Sequence, residues 1–114
     1  MRELFTLNAE LLDFSRVIIY GTGQAGRGIF LKLLQRNIKV ECFADSYPDN
    51  CGAVIFGIPV YHIHELKNKT DSAIIVGGRY AFQVAAELEK MGFEHIFYDF
   101  GNEVNVIHLE REDV

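Results

Sequence analysis

Residues 17–30, VIIYGTGQAGRGIF, decide how the whole sequence is interpreted. The first four are apolar and mostly β-branched, which predicts a strand buried on both faces. A glycine turn follows, and the apolar spacing of residues 25–34 then predicts an amphipathic helix. A strand, a GxGxxG turn and a helix in this order are typical of a diphosphate-binding turn. In it, Gly21 allows the tight turn, Gly23 the approach of a phosphate, and Gly26 close packing of helix on strand.

The rest of the chain continues this alternation. Apolar runs predict strands at 40–44, 73–76 and 95–100, and a helix over 79–91. Between them lie short extended pieces around Gly57 and one or two helical turns within 63–69. Alternation with fully apolar strands predicts a parallel sheet covered by helices on both faces. We therefore expect an α/β fold, a three-layer Rossmann-like domain with a mainly parallel sheet of about five strands.

The length of 114 residues predicts a single domain. Within it we expect a leader helix at 1–14, a core at 17–100 and a terminal extension at 101–114, with a last short strand at 104–109. The apolar stripe of the leader helix is compatible with a homodimer. A complete dinucleotide-dependent dehydrogenase needs a substrate-binding half as well, so we expect no turnover by this chain alone.

Composition and charge exclude several classes of partner. The chain has 11 basic and 16 acidic residues, a net charge of −5, which argues against nucleic acid and against an anionic membrane surface. No apolar run is long enough for direct membrane insertion, and the first residues lack the basic start of a signal peptide. The two cysteines fit no zinc or CxxC spacing. These features predict a cytoplasmic protein with reduced thiols.

Polar, glycine-rich segments follow the predicted strands that end at residues 20, 44 and 76. In a parallel sheet these ends meet at one edge, where ligands bind. Asp45 is placed to accept hydrogen bonds from ribose hydroxyls, although residues 45–48 are equally good turn sequence. Arg79 is suited to bind a phosphate or carboxylate, and Tyr80 is suited to stack on a base or sugar. The alternative is that Arg79 is a solvated surface residue and Tyr80 a half-buried one, neither with a ligand. The predicted binding residues are Gly21, Gly23, Gln24, Ala25, Gly26, Asp45, Ser46, Gly77, Arg79 and Tyr80.

The sequence defines no catalytic set. His62 and His64 share a strand face, but a third metal ligand is not apparent, so we expect structural histidines and no metal site. No Ser/His/Asp or Cys/His arrangement is supported by spacing. None of the five tyrosines is followed four residues later by lysine, so the Tyr-x-x-x-Lys pair of short-chain dehydrogenases does not occur.

The sequence resembles a small Rossmann-like domain found in proteins of bacterial surface-polysaccharide biosynthesis. The motifs that carry the resemblance are Tyr20-Gly21, Phe43-x-Asp45-x-x-Pro48 and Gly57-Ile58-Pro59-Val60. It covers residues 17–66 well and 73–100 loosely. Such domains accompany nucleotide-sugar dehydratases and epimerases, sugar acyltransferases, and some glycosyltransferases and methyltransferases. The resemblance implies NAD or a UDP- or CDP-sugar as ligand, held by Gly21, Gly23 to Gly26 and Asp45, with catalysis on a partner domain or chain.

Three functions fit these observations. The first is a binding module for a nucleotide cofactor or nucleotide-sugar in saccharide biosynthesis. The second is the excised cofactor-binding half of an NAD(P)-dependent nucleotide-sugar dehydratase or epimerase. The third is a structural or dimerisation module with a vestigial pocket. A downstream catalytic domain would separate the second from the first, and failure to bind any nucleotide would favour the third.

Overall fold

A computed structural model describes residues 2–3, 14, 16–67 and 69–99. Two short 3₁₀ turns, Pro48–Asn50 and Ile63–Glu65, accompany the main elements. The strands and helices predicted between residues 17 and 99 are confirmed, with ends shifted by one or two residues. The elements are β1 (Arg2–Glu3), β2 (Arg16–Tyr20), α1 (Gln24–Gln35), β3 (Cys42–Asp45), β4 (Val54–Ile55), β5 (Ile58–His62), β6 (Ser72–Gly77), α2 (Ala81–Lys90) and β7 (His95–Asp99).

The strands form one mixed sheet in the order β1-β7-β6-β2-β3-β5-β4. Neighbours are parallel except β4 and β5, which are antiparallel. The predicted three-layer Rossmann-like domain with about five strands is therefore wrong. The sheet has seven strands, and only two α-helices accompany it in the described part of the chain.

The two additional strands are β1 (Arg2–Glu3) and β4, and β4 lies within residues 46–57, which connect β3 to β5. This segment is rich in Asp, Asn, Gly and Pro, which favour turns, and it forms a 3₁₀ turn and a hairpin instead of a crossover helix. Phe56 and Gly57 occupy the hairpin turn with φ of 54° and 79°, as a type I′ turn requires. The chain thereby adds the edge strand β4, and the two extended pieces expected around Gly57 are confirmed as β4 and β5.

The core consists of two apolar clusters, one on each face of the sheet. One cluster contains the buried side chains of α1, and the other contains those of α2. Successive side chains of β2 alternate between them, since Val17 and Ile19 belong to the cluster under α1 and Ile18 to the cluster under α2. Both faces of β2 are therefore buried, which explains its continuous apolar run. Ile29 of α1 and Leu88 of α2 are each 1% exposed, and burying such a side chain contributes about 1.5–3 kcal/mol.

The predicted leader helix at 1–14 lies mostly outside the described residues. At its start, Arg2 and Glu3 pair with Phe97 and Tyr98 as strand β1. At its end, the Phe14 ring lies 6.1 Å from that of Phe97. The terminal extension at 101–114, with its predicted strand, is also outside the described residues. Within the described ranges, no helix has the length and apolarity needed to cross a membrane.

Candidate functional site

The glycine turn after β2 is held tightly between β2, β3 and α1. The backbone N–H of Gly21 donates a hydrogen bond to the carbonyl of Ala44 over 2.7 Å, and Gly21 has a φ of 99°. A Cβ atom on Gly26 would collide with the carbonyl oxygen of Gly21. Only glycine at position 26 therefore lets α1 begin this close to β2, as the GxGxxG pattern predicts.

The first turn of α1 is open to the carboxyl edge of the sheet. Its N-cap residue, Gly23, provides no side-chain cap, and the first turn contains no acidic residue. A Cβ atom on Gly23 would meet no atom within 4 Å, so the space above its backbone is open. Arg27 donates from Nε to the carbonyl of Thr22 over 2.9 Å, which holds its cationic side chain beside the turn. Uncapped helix amides beside a cation favour an anion.

Asp45, at the end of β3, connects the glycine turn to the following turn. Its Oδ2 accepts hydrogen bonds from Thr22 Oγ1 at 3.0 Å and Asn50 Nδ2 at 3.2 Å. Its Oδ1 accepts one from the backbone N–H of Tyr47 at 2.8 Å. These bonds are the ones expected of a turn residue, and they fix the position of the glycine turn. The contact of Asp45 with a ribose stays a prediction.

The segment after Asp45 is tied to the histidines by backbone contacts. Ser46 is exposed, and its carbonyl accepts a hydrogen bond from His62 Nε2 over 3.1 Å. The backbone N–H of His64 donates to His62 Nδ1 over 3.2 Å, and the two rings stack with centroids 5.1 Å apart. The two imidazoles thus stabilise the 3₁₀ turn after β5. In the described ranges, no three His, Cys, Asp or Glu side chains are grouped in a way that could hold a metal ion.

The end of β6 packs against α1, while the residues after it are exposed. A Cβ atom on Gly77 would lie 2.9 Å from Ile29 Cδ1 and 3.7 Å from Ala25 Cβ. Arg79 and Tyr80 are exposed, with 60% of Tyr80 accessible, and Tyr80 is the N-cap residue of α2. The structure thus brings the glycine turn together with Asp45 and Gly77. Among the described contacts, none connects Arg79 or Tyr80 to the glycine turn.

A groove of about 420 Å³ runs along α1, and of its seven lining residues the sequence analysis predicted Gln24 and Ala25 and missed the other five, among them the ion pair of Lys32 and Asp99. Lys32 Nζ lies 3.1 and 2.8 Å from the two carboxylate oxygens of Asp99. The Asp99 side chain is 2% exposed and that of Lys32 24%. Asp99 ends a buried strand just as Asp45 does, so the rule that located Asp45 could also have located it. The groove is lined by Gln24, Ala25, Gly28, Ile29, Lys32, Gly78 and Asp99.

The two cysteines are free thiols, and Cys51 Sγ lies 3.5 Å from the carbonyl oxygen of Tyr47, in the turn after Asp45. Cys42, buried at the start of β3, borders a second cavity of about 330 Å³. Its burial, with a smaller contribution from Glu41, raises the thiol pKa to about 11 against the opposing effect of Arg16. Desolvation raises the pKa of Cys51 too, and Asp45 and Glu65 add to the increase. Raised values disfavour the thiolate, so neither thiol has the low pKa of a catalytic nucleophile.

Comparison with known proteins gives one family match. A family model described as C2185-like, N-terminal, matches residues 14–96. The matched segment is well over half of the chain and contains the glycine turn, Asp45 and both α-helices. No curated protein gives a significant match.

Proposed function

The chain belongs to the C2185-like N-terminal family, and on that premise we propose that it is a binding module for a phosphate-bearing ligand. The ligand is a nucleotide cofactor such as NAD, or a UDP- or CDP-sugar. One observation carries the proposal: at the start of α1, uncapped helix amides, open space above Gly23 and the Arg27 side chain occur together. Backbone amides, the helix dipole and a guanidinium all favour a phosphate.

The surroundings of the turn support the proposal. The hydrogen bonds that Thr22 donates to Asp45 and Gly21 donates to Ala44 hold the turn in place before any ligand binds. A site that is already ordered binds more tightly, because less conformational entropy is lost on binding. Tyr47 and Tyr80, 58% and 60% exposed, follow β3 and β6 at the same edge and are suited to contact a base or sugar. The link to saccharide biosynthesis, and to a catalytic partner domain or chain, is part of the proposal and rests on the sequence motifs.

The proposal is tested by titration calorimetry of the full chain with UDP, CDP, ADP and NAD. Gly23→Asp places a carboxylate at the N-cap, where it binds the amides that a phosphate would use and repels the phosphate. This variant should be slightly more stable, by a few tenths of a kcal/mol, yet its affinity should fall at least tenfold. Gln35→Glu adds the same charge at the other end of α1 and should leave the affinity unchanged. Unchanged binding in Gly23→Asp would contradict the proposal.

Arg27→Ala provides a second measure of the same site. Arg27 is exposed, and its one described side-chain hydrogen bond goes to a backbone carbonyl, so the fold should tolerate its loss. We expect the affinity for a nucleoside diphosphate to fall about tenfold, in keeping with the strength of hydrogen bonds to charged groups. Binding of NAD alone among the ligands would favour the alternative of a cofactor-binding half of a dehydratase or epimerase.

A structural or dimerisation module is the second candidate, favoured by an exposed apolar surface on the outer side of α1. Leu31, Leu34 and Phe56 are 48%, 58% and 50% exposed, and the Phe56 ring stacks on Phe30 at 4.9 Å. Neighbouring exposed apolar side chains of this kind often mark an interaction surface. Sedimentation equilibrium of the wild type and of Leu34→Lys tests it. A wild-type dimer that dissociates in the variant, together with no nucleotide binding, would replace the first candidate by the second.

A further inference from the structure

The second cavity, of about 330 Å³, lies on the side of the sheet that faces α2. Between β5 and β6, the described residues form one 3₁₀ turn, Ile63–Glu65, and no α-helix. Leu66, which follows this turn, packs with Cys42 in the cluster under α2, and both line the cavity. Arg16 and Cys42, the first residues of β2 and β3, place the cavity at their amino ends, whereas the glycine turn follows the carboxyl end of β2. A ligand here would occupy a site separate from the proposed phosphate site.

The walls of this cavity carry equal numbers of positive and negative side chains. They are two cations and two anions: Arg16, Lys67, Glu41 and Glu65. Among the described residues, no side-chain hydrogen bond or ion pair connects any of these four to another residue. The groove along α1 differs, because there Lys32 and Asp99 meet directly at 2.8 Å. Unlike charges that line one cavity without pairing leave each charge open to a ligand.

The floor of the cavity is uncharged and mostly apolar. Cys42 and Leu66 are 1% and 7% exposed, and the Tyr61 ring stands beside them. The Cys42 pKa of about 11 keeps its thiol neutral at neutral pH. Glu41 raises this pKa and Arg16 lowers it, and since such effects weaken with distance, both charges lie near the floor.

This arrangement determines which charge a ligand can carry. A simple anion would be attracted by the two cations and repelled by the two carboxylates, and a simple cation would meet the reverse. A ligand with both charges finds a partner for each. A guanidinium binds a carboxylate with two parallel hydrogen bonds, and a carboxylate accepts hydrogen bonds from an ammonium group. The volume lies near the lower end of small-molecule sites, as a small ligand requires.

We propose that this cavity binds a small zwitterion with one carboxylate and one ammonium group, the chemistry of a free α-amino acid. Arg16 binds the carboxylate and Glu41 binds the ammonium group, while the exposed Lys67 and Glu65 add one charge of each sign at the rim. The side chain of the ligand rests on the floor. The proposal goes beyond the proposed function and shares no residue with the phosphate site.

Titration calorimetry of the full chain with each standard amino acid is the first test. The amino acid that binds most tightly is then compared with its amide, which lacks the carboxylate, and with its N-acetyl derivative, which lacks the ammonium group. Each derivative should bind at least tenfold more weakly, in keeping with the strength of hydrogen bonds between charged groups.

Two variants assign the ligand groups to their partners. Arg16→Gln should weaken binding of the amino acid at least tenfold and leave the already weak binding of its amide unchanged. Glu41→Gln should act in the same way on the amino acid and leave the N-acetyl derivative unchanged. Lys90→Gln and Glu89→Gln remove the same charges at exposed positions of α2 outside the cavity and should leave every affinity unchanged.

The outcomes keep this inference apart from the proposed function. Failure of every amino acid to bind overturns the inference, as do equal affinities for the amino acid and its two derivatives, a comparison that uses only the wild type. Variants Arg16→Gln and Glu41→Gln that bind like the wild type overturn it as well. Gly23→Asp, which blocks the phosphate site, should leave amino-acid binding unchanged, and loss of that binding would overturn the separate site. Nucleotide binding without amino-acid binding leaves the proposed function standing and this inference refuted.

Discussion

Two glycines of α1, two residues apart, should respond in opposite ways to the same substitution. In Gly26→Ala the new Cβ would collide with the carbonyl oxygen of Gly21 and lie 2.9 Å from its carbonyl carbon. Gly21 is bound to Ala44 and cannot move away easily, so α1 must shift and disturb the packing of Ile29 and Leu33 in the core. Overpacking of this kind costs about 2–3 kcal/mol.

Gly28→Ala is the matched control, because its Cβ enters open space and helix propensity improves by about 0.5–1 kcal/mol. The free energies of unfolding of the two variants should therefore differ by about 3 kcal/mol. For a domain of this size that is a Tm difference of about 10–20 °C. Urea and thermal denaturation followed by circular dichroism measure both values. Equal stability of the two variants would refute the close contact between α1 and the glycine turn.

Three further predictions concern single side chains and are checked by urea denaturation. Asp45→Ala removes the acceptor for Thr22 and for two other donors and should lower the free energy of unfolding by about 2–3 kcal/mol. Asp45→Asn keeps one oxygen and should lose less stability, so equal losses in the two variants would contradict these contacts. The Cys42 pKa of about 11 exceeds its usual value of 9.0, so the unfolded chain loses this proton first, and stability present below pH 9 should decline from pH 9 to 11. In Cys42→Ala that decline should be shallower, and an identical pH profile would argue against a buried thiol. Phe56 has a φ of 54°, so Phe56→Ala should be about 0.5–1 kcal/mol less stable than Phe56→Asn, which also lacks the ring but tolerates this conformation; an alanine variant at least as stable would rule out a strained turn.

The secondary structure was predictable where one segment is buried on both faces. The strand at 17–20 is apolar throughout because Val17 and Ile19 pack under α1 and Ile18 under α2. The fold class was not predictable in the same way, because it depended on how residues 46–57 connect two strands. Their turn-forming residues were visible, but the alternation of the other elements led to the expectation of a complete layered fold. The hairpin places Phe56 in a left-handed conformation and its ring on that of Phe30, a contact between distant parts of the chain that no local pattern indicates.

The glycine turn was predictable because its geometry is local, whereas the groove beside it was not. Gly21, Gly23 and Gly26 act within one strand–turn–helix unit, so their spacing alone predicts the open helix start. Lys32 and Asp99 are 67 residues apart in sequence and meet only because β7 lies beside β6 under the flank of α1. No local pattern indicates such a pair.

The acids at the ends of β3 and β7 indicate how the prediction could be improved. Asp45 is followed within five residues by Tyr47 and Asn50, whose N–H groups bind its carboxylate, so local donors give this acid a structural role. Asp99 takes its ammonium partner from α1, beside a cavity that reaches the glycine turn. Acids at strand ends should therefore be examined for partners on the neighbouring helix as well as in the turn that follows, and the pair of Asp99 and Lys32 is one that such a search finds.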